Sequence, residues 1–167
     1  MDIDTTNIPD VQTFTDIPKT HWAYPYVEAA YQKGIIKGTS SSLFGTGSKC
    51  TREQMAAMFV RSMGLNDENI KGLQSYYYTG ALNDSDKISA WAKDYVEFAM
   101  TAGLMNGTGG GNFGAGEFAQ REQAAVLTDR FLTNEAKVEK LAKGYLGDVD
   151  YPELYNEIGR ASCRERV

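Results

Sequence analysis

Apolar residues recur along the chain at helical spacing in two long stretches that are built alike. In the first, Trp22, Tyr26 and Ala30, flanked by Val27 and Tyr31, predict a helix over about 22 to 33. Pro25 is tolerated there because it lies in the first turn, and Gly34 supplies the C-terminal stop. Ile35-Ile36-Lys37-Gly38 then leads into the polar loop 39–48, where Phe44 is expected to pin the loop to the core. A second helix opens at Thr51 with a capping box in which Gln54 reaches back, and Gly64 closes it. Met55, Met58, Phe59 and Met63 are its expected buried face.

The second stretch repeats the first at an offset of 69 residues: 17 of the 40 positions in 22–61 are identical in 91–130, without a gap. Trp22 maps to Trp91, Gly34 to Gly103, Gly38 to Gly107, Phe44 to Phe113, Arg52 to Arg121 and Arg61 to Arg130. This is the strongest signal in the chain, and it makes it a repeat protein. The turn-forming openings correspond as well, Phe14-Thr15-Asp16 with Leu82-Asn83-Asp84, shifted by one residue.

The expected organisation is a linker over 1–12, a first helix–loop–helix repeat over 13–65, a connector over 66–80 and a second repeat over 81–133. A short linking helix follows over 134–144, and a third repeat begins over 145–156, where Asp148 precedes Tyr155 by seven residues as Asp84 precedes Trp91. Residues 157–167 differ in composition from all that precedes them and resemble the translation of a sequencing adapter. They are expected to be an artefact with no part in the fold. The fold class is all-α, in tandem helix–loop–helix repeats.

A net charge of −5 and a pI near 4.9 argue against nucleic acid as a partner. No apolar run approaches the roughly 20 residues that cross a bilayer, so no membrane insertion is expected. The two cysteines, Cys50 and Cys163, make no framework, and neither a disulfide nor a metal follows from them. Asn83-Asp84-Ser85-Asp86 hints at calcium, but an EF-hand counted from Asp84 needs Gly and Glu where Ser89 and Tyr95 stand. His21, the one histidine, has no nucleophile or carboxylate pattern around it. No enzyme activity and no cofactor are expected.

The ordered set Phe-x-Asp, Trp-Ala, Gly-(Ile/Leu)-(Ile/Met)-x-Gly, Phe and Thr-Arg-Glu-Gln resembles the S-layer homology domain, in two full repeats and the start of a third across residues 14 to 156. The resemblance implies an all-helical, pseudo-threefold body, here incomplete. Grooves between its repeats would bind secondary cell-wall polysaccharide, anionic and often pyruvylated. Such a module would hold a protein non-covalently on the bacterial cell surface or S-layer. Carried across by motif, the implied glycan-binding residues are Asp16, Trp22, Gly38 and Arg52 in the first repeat, with Asp84, Trp91, Gly107 and Arg121 in the second.

Physical chemistry is consistent with that set. An arginine in the first turn of a helix, beside unpaired backbone N–H groups, suits a carboxylate. A tryptophan offers a flat face to a sugar ring, and glycines let the backbone approach a polymer closely. The sequence departs from the family pattern in two places. Thr-Arg-Glu-Gln stands where Thr-Arg-Ala-Glu is usual, and Gln120 replaces the capping threonine, which is expected to weaken the second groove. Each site residue also has a plainer reading. The tryptophans fill core, the arginines pair with Asp16 or Asp84 across the loop, and the aspartates form turns. The alternative function is a structural or protein–protein assembly module without a glycan site.

Overall fold

The computed structural model describes residues 4–6, 8, 10–71, 82–133 and 136. The predicted linking helix beyond Ala136, the later part of the connector, the start of the third repeat and the adapter-like tail lie outside the described residues. Among the described residues are four α-helices and no strand: α1 (Tyr24–Gln32), α2 (Arg52–Ser62), α3 (Lys93–Thr101) and α4 (Arg121–Thr133). They fall in two compact units, 1–49 and 50–167. The chain is an all-α repeat protein.

The first unit gathers on Phe14, which is buried, meets Tyr31 edge-on at 5.0 Å and lies 5.7 Å from the Phe44 ring. That contact is the expected pin, and it seats the loop on α1. The buried Glu28 carboxylate accepts both the amide (2.9 Å) and the hydroxyl (2.7 Å) of Thr13, stitching the opening segment to the helix. The helix is shorter than its periodicity suggests. His21 Nδ1 accepts the Ala23 amide at 3.2 Å, so residues 21–23 form a turn, and Trp22 lies outside the helix with its ring in solvent. Gly38 is required by space: a Cβ there would lie 2.3 Å from the Leu43 carbonyl oxygen and 2.5 Å from the Phe14 ring.

In the second unit the capping box forms as predicted, with Gln54 N donating to Thr51 Oγ1 at 3.3 Å and Thr51 N donating to Gln54 Oε1 at 2.9 Å. The buried face of α2 is rotated from the expected one. Met55 is buried, but Met58, Phe59 and Met63 are half-buried, and the deepest positions are Ala56, Ala57 and Val60. The reason is the neighbour. α2 packs on α3, and small side chains let two helix backbones approach closely. Tyr95, Val96, Phe98 and Ala99 of α3, with Leu104, Phe113 and Leu127, complete this core. Each large apolar side chain buried there stabilises by roughly 1.5–3 kcal/mol.

One polar clasp crosses the same seam. The Arg61 guanidinium lies 4.6 Å over the Tyr95 ring and donates through Nε to Tyr95 Oη at 3.1 Å. Asp67 Oδ1 accepts from Tyr95 Oη at 2.5 Å and from Arg61 Nη2 at 3.2 Å. Burial and the Asp67 acceptor push the Tyr95 hydroxyl up to about 12. The repeat seen in sequence and the unit seen in packing are therefore out of phase, because α2, from the first sequence repeat, builds its core with the first helix of the second.

Gly38→Ala is expected to destabilise by about 1–3 kcal/mol, since its methyl group meets backbone oxygen that cannot move aside. Gly116→Ala, where an added Cβ meets nothing, is expected to be neutral. Urea unfolding of both variants checks the contrast.

Candidate functional site

Each long loop between the paired helices has neither helix nor strand, so many of its amides and carbonyls need partners from elsewhere. The two motif aspartates supply the acceptors. Asp16 takes the amides of Phe44, Gly45 and Thr46, each at 2.8 Å. Asp84, buried, takes those of Phe113 and Gly114, also at 2.8 Å. The Thr46 amide leads in drawing the Asp16 carboxyl down to about 2, with Phe44 and Gly45 adding to it against a desolvation cost. For Asp84 burial acts to raise the pKa, but the Phe113 and Gly114 amides outweigh it, and the carboxyl ends below its ordinary value. Both aspartates are loop fasteners.

Arg52 answers the carbonyls of the second loop. At the first position of α2 it is 4% exposed, and it donates through Nε to Phe113 O at 3.0 Å and through Nη2 to Asn106 O at 2.6 Å. Its guanidinium also lies 5.0 Å over the Phe113 ring. Burial lowers its pKa, and the nearby charges of Glu117 and Asp84 work against that shift.

The expectation of unpaired backbone N–H groups beside Arg52 is corrected here. Arg52 N donates to Glu117 O at 2.9 Å, Glu53 N to Ala115 O at 3.3 Å, and Gln54 N to the capping threonine. The first turn of α2 is already satisfied by the loop it plugs into. The Glu53 carboxylate completes the plug by accepting Ser89 N at 3.0 Å and Ser89 Oγ at 2.8 Å.

Arg121, at the matching position of α4, is exposed. Trp22 is 80% exposed, stacked on the His21 ring at 5.8 Å, and Trp91 is 48% exposed. Neither tryptophan fills core. Gly107, like Gly38, sits where a Cβ would lie 2.3 Å from a backbone oxygen, here that of Asn112.

One cleft of about 230 Å³ opens in the second unit between α2, α4 and the start of the loop. Met55, Leu104 and Leu127 line its apolar part, and Arg52, Asn106, Gly107, Glu122, Gln123 and Arg130 bring polar groups to it. Of the eight predicted residues it brings together Arg52 and Gly107. Asp84 stands behind the loop, Trp91 and Arg121 do not line it, and Asp16, Trp22 and Gly38 belong to the first unit. The residues carried across by motif did not include Arg130, Asn106 or Glu122, although Glu122 belongs to the repeated Arg-Glu-Gln corner. The offset had already paired Arg130 with Arg61, which was the available signal. Among the described residues, no group of three or more His, Cys, Asp or Glu is placed to hold a metal ion, and no helix is long and apolar enough to cross a membrane.

The family model described as the S-layer homology domain matches residues 13–56 and 81–125, just over half of the chain. An endoglucanase of Bacillus sp. (strain KSM-635) is 30% identical over 135 residues, covering 79% of this chain and 13% of that protein. Exoglucanase XynX of Acetivibrio thermocellus is 33% identical over 118 residues, 68% of this chain and 10% of the enzyme. The surface-layer 125 kDa protein of Lysinibacillus sphaericus is 26% identical over 133 residues, 78% of this chain and 11% of that protein. The chain thus spans only about a tenth of the length of these relatives. No solved structure matches it significantly.

Two predictions test this geometry. In an acid titration followed by NMR, the amides of Phe44, Gly45 and Thr46 are expected to shift with a midpoint near 2. Because the folded pKa is depressed, the stability Asp16 contributes is present above its unfolded value of 3.8 and is lost as pH falls through about 2. A midpoint at 3.8 contradicts the fastening role. Separately, Arg52→Ala strands two loop carbonyls and is expected to destabilise by about 2–4 kcal/mol, whereas exposed Arg121→Ala stays within about 0.5 kcal/mol. Equal effects in urea unfolding would rule out the asymmetry.

Proposed function

Because the chain belongs to the S-layer homology domain family, we propose that it anchors a larger protein non-covalently to the bacterial cell envelope by binding an anionic secondary cell-wall polysaccharide. The observation that carries this reading is the cleft beside α2. It sets two guanidinium groups, Arg52 and Arg130, around an apolar floor, with the backbone of Gly107 at the edge. Arg52 gives Nε and Nη2 to loop carbonyls, so what it adds beside Arg130 is positive charge, and positive charge on a partly apolar wall suits a sugar that bears a carboxylate, such as a pyruvate ketal.

Under this reading the eight motif residues divide their work. Arg52 and Gly107 form the cleft wall, and Asp16 and Asp84 hold the loops in shape. Gly38 lets the first loop close on itself, Trp22 and Trp91 present exposed rings to sugar faces, and Arg121 offers an exposed cation. A similar short segment occurs in proteins named as a surface-layer protein and as two glucanases. That distribution supports an accessory module located at the cell surface, with catalysis carried by other parts of such proteins.

Cosedimentation with purified cell wall tests the proposal. The chain is expected to pellet with intact wall and to stay in solution once the non-peptidoglycan polymer is stripped, and equal pelleting after stripping would overturn the partner. Asn106→Asp, which adds a negative charge at the cleft, is expected to weaken retention about tenfold, or about 1.4 kcal/mol. Retention is also expected to fall as salt is raised.

A further inference from the structure

The loop at the rim of the cleft carries a reactive pair. Asn106-Gly107 is the one Asn-Gly step in the chain. The fold imposes its glycine, since a Cβ at position 107 would lie 2.3 Å from the Asn112 carbonyl oxygen. Both residues are exposed and lie in neither helix nor strand. Among the described residues, the Asn106 side chain and the Gly107 amide make no hydrogen bond, and only the Asn106 carbonyl is held, by Arg52 Nη2 at 2.6 Å. The other described asparagines are tied down. Asn66 Oδ1 accepts the amides of Glu68 and Asn69, Asn69 Oδ1 accepts that of Asn66, and Asn83 Nδ2 donates to Gly110 O at 2.8 Å. Phe113 N, the amide that would have to attack Asn112, is held by Asp84 at 2.8 Å.

We propose that Asn106 is a self-modification site, at which loss of ammonia places a carboxylate against Arg52 and closes the cleft to anions. Glycine presents the least crowded amide and the freest backbone, which favours attack by Gly107 N on the Asn106 side chain. A bond forms from Gly107 N to Cγ of Asn106, the bond from Cγ to Nδ2 breaks, and ammonia leaves with the proton that Gly107 N gives up. Water then opens the five-membered imide. Attack at Cγ restores the peptide bond and leaves an aspartate side chain at the cleft. Attack at the other carbonyl carbon gives isoaspartate, and the oxygen that Arg52 Nη2 now holds becomes an oxygen of the freed carboxylate.

Either product changes the charge of the cleft. Its charged lining is Arg52, Arg130 and Glu122, two positive groups and one negative, so one positive charge is in excess. A single added carboxylate cancels it, and in the isoaspartyl product the cancelling charge sits on the Arg52 guanidinium itself. In the first repeat Lys37 stands where Asn106 does, ahead of Gly38, so the chemistry is confined to the second. The loss of polysaccharide rests on the envelope-binding reading given above, but the modification and the ion pair do not.

Ageing the 167-residue chain in mildly alkaline buffer and mapping its peptides by mass spectrometry tests the chemistry. Asn106 is expected to convert before every other asparagine, to aspartate and isoaspartate, with one ammonia released per converted chain. Earlier conversion of another asparagine, or an unchanged Asn106, would overturn the proposal. Carbon-13 NMR then locates the charge. The new carboxylate is expected to titrate at lower pH in the native chain than in the same chain unfolded in urea, and equal midpoints would exclude the contact with Arg52. Purified cell wall is expected to hold the converted chain about tenfold less tightly than the fresh one. Asn106→Gln, whose longer side chain closes its ring far more slowly, is expected to be held equally before and after ageing. Equal retention of fresh and converted unsubstituted chain would overturn closure of the cleft. A fresh chain that the wall does not retain overturns the envelope reading, and with it the loss of polysaccharide, while the peptide map and the titration decide the modification.

Discussion

The structure depends on how two irregular loops keep their backbone groups paired. A segment of about ten residues with neither helix nor strand has a row of amides and carbonyls that water or side chains must satisfy. Here the labour is split by charge. An aspartate before each first helix collects amides, three for Asp16 and two for Asp84. In the second loop a guanidinium collects carbonyls, Arg52 taking those of Phe113 and Asn106. The carboxylate and guanidinium fix opposite faces of one loop, and glycine is needed where the chain doubles back against its own oxygens.

This arrangement explains why the cleft belongs to neither sequence repeat alone. Arg52 comes from the second helix of the first repeat, Gly107 and Asn106 from the loop of the second, and Glu122 and Arg130 from α4. A cleft built across successive repeats exists only where one repeat follows another. Arg52 both stabilises the second loop and lines the cleft, so a residue that holds the fold also sets the cleft's shape.

Much of this was legible in the sequence, and the failures have physical causes. The capping box at Thr51, the glycine stops and the repeat offset follow from local rules and hold at Gln54, Gly34 and Gly64. The face of α2 did not follow. Periodicity favours the bulkiest apolar residues, but a close helix–helix approach selects the small ones, and Ala56 and Ala57 went inside while Met58 and Phe59 stayed at the margin. Trp22 misled for a related reason, because a tryptophan at helical spacing resembles core until the helix is seen to begin after it. The unlike settings of Arg52 and Arg121, identical in motif, could not be read locally. Arg52 is buried by carbonyls more than fifty residues away along the chain, which no local rule shows.

The clasp of Arg61, Tyr95 and Asp67 also sets an alkaline boundary. With its hydroxyl held to about 12, Tyr95 keeps its proton in the folded chain after a solvated tyrosine, near 10, has lost its own. Below that lower value the phenol binds the same proton in both states and folding is indifferent to it. Between the two values the unfolded chain gains by ionising while the native chain does not, so the helix seam weakens steadily through that range. In basic solution this seam has a limit fixed by a single buried phenol.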